Sequence, residues 1–239
     1  LLTIAPANAE MIDGAMVYVL VFFLGLDKPR PELRVVEGKV ITVAITNSDT
    51  QSHGFAIPGI PAATIPAIEP GDTATVVFTA PSGGSYLYVD PYMAPLNRVL
   101  GLHGAFIVEP LVGTTPVGSE TPFSSADQTP QVRAIFDALG GGHPRFPGEK
   151  WRPEDPAREK LWLFSQTDPT LNARVAVGQT VDPAAVVPNF LPRYFTINGL
   201  SGFDTAIHGS HSGGESPAAR IMPSGRQGQP CLIRTLNGG

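Results

Sequence analysis

The chain reads as short alternations of apolar and polar residues, with few helical stripes. The segment PELRVVEGKVITVAITNSDTQSHGFAIPGI, residues 31–60, repeats apolar side chains at every second position, breaks at Glu37-Gly38 and at Asn47-Ser48-Asp49, and resumes at Phe55-Ala56-Ile57. A period of two sends successive side chains to opposite faces of a strand, so three short strands joined by turns are predicted. In IEPGDTATVVFTAPSGGSYLYV, Pro70-Gly71 leads into a strand over Thr73 to Thr79, and the turn from Pro81 to Gly84 leads into another over Ser85 to Val89. A last strand follows at His103 to Val108. The longest apolar run, AMVYVLVFFLGL at 15–26, is too short to span a bilayer and is rich in β-branched and aromatic residues, so it is expected to be a buried first strand. Closely spaced strands with Gly and Pro turns are the pattern of a Greek-key sandwich or barrel.

The pattern changes after residue 109. Glu109 to Pro130 is rich in Thr, Ser, Pro and Gly without apolar periodicity, which predicts a linker. PQVRAIFDALGGG then places Val132, Ile135, Phe136 and Leu139 on one face between Pro130 and Gly140, so a short helix is predicted. HPRFPGEKWRPEDPAREK is proline-rich again, and β character resumes at 161–169, 192–202 and 231–237. The expected organisation is a first β domain over 1–110, a linker with a short helix over 111–160, and the start of a second sandwich over 161–239. That second unit has too few strands to close alone. The remainder of the same polypeptide, or a second chain, is its expected completion, and a homo-oligomer is compatible with this.

Composition narrows the class. Hydrophobic residues make up 42% and charged residues 15%, with 26 Gly and 25 Pro, which favours an all-β fold. A net charge of -5, with Lys and Arg scattered singly, removes nucleic-acid binding from consideration. The lone Cys231 excludes an intrachain disulfide and any CxxC metal site, and reads as a small apolar residue near a strand start. The opening LLTIAPANA has the small-residue end of a leader peptide but no basic start.

The ordered phrases GKVITVAITN, a histidine, IEPGDTATVVFTAP, GSYLYV and GLHGAFIVEP resemble a cupredoxin domain of the multicopper oxidase and copper nitrite reductase family. YFTINGLSGFDT and PCLIRTLNGG resemble the opening of that family's second domain. The resemblance implies tandem Greek-key sandwiches, export to the periplasm or beyond, and copper-dependent oxidation by one-electron steps. A blue-copper site needs two His, one Cys thiolate and commonly a Met. On the family pattern His53 stands at the first histidine position, Asp90 at the cysteine, Asn97 at the second histidine and Leu102 at the methionine. Val89 stands where a trinuclear-type histidine would fall, and the chain has no HxH pair.

His53 and His103 are therefore the metal candidates, each with a structural alternative as a hydrogen-bonded residue. Asp90 with His53 and Asn97 could hold a harder cation, or Asp90 could bond loop amides ahead of Pro91. His208 and His211 sit in a Gly/Ser loop, and His143 has no neighbouring partner in sequence. Tyr86, Tyr88, Tyr92 and Phe106 could line a pocket or pack as a core. No GxSxG elbow or phosphate loop is present, and no catalytic residue is assigned. Two functions remain: the N-terminal part of a multicopper-oxidase-like oxidoreductase whose copper ligands lie mostly elsewhere, or a redox-silent cupredoxin module with a structural or binding role.

Overall fold

The computed structural model describes residues 1–25, 28–111, 124, 126, 127, 129–141, 159–202, 221, 223 and 231–239. Ten strands build the first part: β1 (Leu2–Glu10), β2 (Met16–Leu24), β3 (Lys28–Pro29), β4 (Leu33–Val36), β5 (Val40–Asn47), β6 (His53–Ile57), β7 (Ile60–Ile68), β8 (Thr73–Thr79), β9 (Gly84–Val89) and β10 (His103–Glu109). They form two five-stranded sheets, in the orders β3-β2-β1-β5-β8 and β4-β10-β9-β6-β7. The sheets enclose one core in which Phe22 meets Phe55 and Tyr88 across the sandwich, and Phe78 meets Phe106. Such edge-on aromatic contacts add to the free energy of burial.

Besides the two-residue β3, the predicted strands are present with two additions. LLTIAPANA is β1, paired residue for residue with β2 from Leu2 opposite Leu24 to Glu10 opposite Met16, so the 15–26 run is the second strand and not the first. The other addition, β7, carries Pro61 and Pro66, which break the usual strand signal; it lies at a sheet edge, where a missing N–H is tolerated. Tyr88 and Phe106 are fully buried, and Tyr86 packs on Phe106, so these aromatics form core and not a pocket.

A short helix α1 (Leu96–Val99) lies between β9 and β10, and α2 (Pro130–Gly141) matches the predicted helix. Beyond it, β11 (Glu159–Thr167), β12 (Tyr194–Ile197), β13 (Leu200–Ser201) and β14 (Leu232–Asn237) form a third sheet in the order β13-β12-β11-β14. Asn198 and Gly199, both at positive φ, make the tight β12–β13 turn, which favours Asn-Gly. Helix α3 (Pro169–Ala176) starts where Asp168 accepts from the amides of Thr170 and Leu171, with Pro169 in its first turn.

The third sheet turns one face to the sandwich. Leu163, Ser165, Thr167, Thr196 and Arg234 are buried on it. The other face carries Trp162, Phe164, Phe195, Ile197, Leu200 and Ile233; Phe195 is 65% exposed and Phe164 39%.

Polar contacts hold the seam. Arg34 of β4 pairs with Glu109 and donates to Glu159 of β11 at 2.7 Å, and Arg234 of β14 donates to the same Glu159 oxygen at 2.7 Å. Burial raises the Glu109 pKa even though Arg34 opposes the shift. The hairpin of β1 and β2 adds a strut, since Tyr194 donates to Asp13 at 2.8 Å.

Candidate metal centre

The four family positions converge. His53 opens β6, Asp90 follows β9, Asn97 lies on α1 and Leu102 precedes β10; all four are buried. Local sequence explains their placement. Asn47 is fully buried at the end of β5, donates to the carbonyls of Gln51 and Ile68, and accepts from the Asp49 amide, so it shapes the loop that leads to His53. Gly54 lets β7 approach closely, because a Cβ there would lie 2.7 Å from the Ile65 carbonyl oxygen. Asp90 forms an Asx turn with the Tyr92 amide, and its own amide donates to the Leu102 carbonyl at 3.0 Å. Gly101, at φ +120, allows the chain to turn into Leu102.

The side chains form a hydrogen-bonded set. His53 Nδ1 lies 2.7 Å from Asp90 Oδ2, and His53 Nε2 lies 2.9 Å from Asp49 Oδ2. Ionised carboxylates only accept, so both ring nitrogens carry protons and His53 is an imidazolium. Burial disfavours that charge, but the hydrogen bonds to Asp90 and Asp49, with their negative charge, outweigh it and raise the His53 pKa above its ordinary value. Asp90 is fully engaged. Its Oδ1 accepts from the amides of Gly54 and Tyr92, each at 2.7 Å, while Oδ2 accepts from His53 and from Asn97 Nδ2 at 2.9 Å.

This donor set does not fit copper. An imidazolium has no lone pair to offer, the Asp90 oxygens are occupied by four donors, Asn97 presents its N–H group, and Leu102 presents hydrocarbon. Asp49 is the member that sequence reasoning missed; its spacing of four residues from His53 was the available signal.

His103 lies elsewhere, at the seam. Its Nδ1 donates to the Arg98 carbonyl at 3.0 Å, and its Nε2 accepts from the Ser165 hydroxyl at 2.7 Å. Burial, aided by the charge of Arg30, pushes its pKa down to about 3, so it is a neutral imidazole whose free lone pair is taken by Ser165. His53 and His103 thus belong to different clusters. His143, His208 and His211 lie outside the described residues. Among the described residues no group of three or more His, Cys, Asp or Glu side chains is arranged to hold a metal ion. Cys231 is half-buried just ahead of β14.

Residues 18–112 match the family described as Multicopper oxidase. Over those residues the sandwich is similar to that family. The chain also aligns with solved structures over most of its length. Against a blue copper oxidase from Nitrosomonas europaea it shows 19% identity and a TM-score of 0.55, covering 83% of this chain and 52% of that one. A copper nitrite reductase from the same organism gives 16% identity and a TM-score of 0.53, covering 83% and 55%. The McoA multicopper oxidase from the hyperthermophile Aquifex aeolicus gives 15% and 0.54, covering 84% and 38%. This chain therefore spans about half the length of the first two. No curated protein sequence matches it.

Proposed function

We propose that this chain is the N-terminal part of a multicopper-oxidase-like exported oxidoreductase, with its catalytic copper held by ligands outside residues 1–239. The observation that carries this reading is the match of residues 18–112 to the Multicopper oxidase family, and the His53–Asp90 pair is why the copper is assigned to ligands elsewhere. On this reading the domains are a first cupredoxin over 1–110, a linker over 111–160, and the start of a second sandwich from 161. The outer face of the third sheet, with Phe164, Phe195 and Ile233 exposed, is the kind of face that a second sheet buries. We assign that covering sheet to the remainder of the polypeptide, with a second chain as the other source. No helix among the described residues is long and apolar enough to cross a membrane.

A redox-silent cupredoxin module, serving a structural or partner-binding role, is the second reading. It is favoured by the same His53–Asp90 pair. Copper quantification with EPR on the full-length protein, beside residues 1–239 alone, separates the two. Copper in the full protein and none in the segment supports the oxidase; none in either leaves the structural module.

A further inference from the structure

We propose that Asp49, His53, Asp90 and Asn97 form a metal-free ionic cross-link that stands in the copper position, positions α1, and through α1 holds the third sheet against the sandwich. The four residues come from four separate places: the loop after β5, the start of β6, the loop after β9, and α1. A metal with four protein ligands would tie the same segments together. Here one carboxylate does so by accepting four hydrogen bonds, and one imidazolium bridges two carboxylates. Charge-assisted bonds of this length, out of water, are stronger than neutral ones.

The link to the third sheet runs through neighbouring residues of one short helix. Asn97 faces the cross-link, while Arg98 reaches the end of β14, with Nε donating to the Gly238 carbonyl at 2.7 Å and Nη2 to the Asn237 carbonyl at 3.3 Å. The carbonyl of Arg98 also holds His103, which bonds Ser165 of β11. Gly238 packs so closely on the His103 ring that a Cβ there would overlap it. Displacing α1 would therefore disturb three contacts to the third sheet at once. Asp49, Asp90 and Asn97 are positioning residues and not metal ligands.

The proposal stands apart from the oxidase reading, and two measurements on the full-length protein test it. In hydrogen exchange, Asp90→Asn and Asn97→Ala are each compared with Phe78→Leu, a core change remote in sequence from α1. At matched loss of stability, faster exchange by about tenfold at residues 96–103 and along β14 in the first two variants alone is the expected result. Equal exchange in all three overturns the proposal, and Asn97→Ala keeps the test open if Asp90→Asn does not fold. In the second measurement copper(II) is added to the wild type and to His53→Gln, and bound copper per chain is counted. Equal counts, zero included, support the cross-link; a count lower in His53→Gln overturns it. Zero copper in both sinks the oxidase reading while leaving this one intact.

Discussion

The Ser165 hydroxyl lies 2.7 Å from His103 Nε2, and this bond joins β11 to the start of β10. Both groups are buried, so removing one leaves the other without a partner. Ser165→Ala is expected to destabilise the chain by about 1–3 kcal/mol, the cost of an unsatisfied buried acceptor. Urea unfolding at pH 7 measures it; a change within about 0.5 kcal/mol would place the bond among surface effects.

The two histidines titrate in opposite senses. His103 has a folded pKa of about 3 against an ordinary 6.5, so the unfolded chain takes up a proton first and stability falls as pH drops from 6.5 towards 3, by up to about 1.4 kcal/mol per pH unit. His53 has a raised folded pKa, so its contribution is complete below 6.5 and is lost as pH climbs through that raised value. His103→Gln is expected to flatten the acid limb of a stability-pH curve, and His53→Gln the alkaline limb. Unchanged limbs would reject these charge states.

Asp90→Ala leaves a buried imidazolium and three donors with no acceptor at that position. Breaking a buried ion pair in this way costs about 3–5 kcal/mol. Thermal unfolding of residues 1–239 is expected to shift down by several degrees and to be insensitive to EDTA in both variant and wild type.

Gly104 faces the ring of Tyr88 so closely that a Cβ would overlap it. Tyr88 is fully buried and donates to the Pro31 carbonyl at 2.7 Å, which restricts its movement. Gly104→Ala is therefore expected to cost about 1–3 kcal/mol through overpacking, with loss of near-UV circular dichroism from the aromatic cluster.

The outer face of the third sheet gives a contrast between contexts. Phe195→Lys is expected to change the stability of residues 1–239 by no more than about 0.5 kcal/mol, since the side chain is 65% exposed, and to reduce their self-association in sedimentation. Under the proposed arrangement, in which a covering sheet buries that position in a longer polypeptide, the same change is expected to be strongly destabilising.

Most of the sandwich was legible because its strands alternate cleanly and their turns carry Gly, Pro or Asn-Ser-Asp. β7 was not, since Pro61 and Pro66 are read as breaks unless the strand is known to lie at an edge. Helix α3 was passed over although Asp168-Pro169 is a helix start, because the preceding apolar run suggested that the strand continued. At the site, His53, Asp90, Asn97 and Leu102 were found from the family pattern, and the structure does bring them together. Their chemistry was harder to read. That His53 is charged depends on Asp90 and Asp49, of which only Asp49 lies close in sequence, and that His103 is neutral depends on its burial, while its partner Ser165, sixty-two residues away, leaves no local pattern.

The interlocking of these charges constrains any route from this arrangement to a copper site. Asp90→Cys alone would strip the imidazolium of its main counterion; Asn97→His alone would set a second ring beside a group already protonated. Each single step would weaken the fold before any metal could bind, because the remaining three residues are fitted to one another and not to an ion. A lineage with this arrangement would have to change several buried residues together to gain a metal site, so the cross-link acts as a barrier to metal binding by single substitutions.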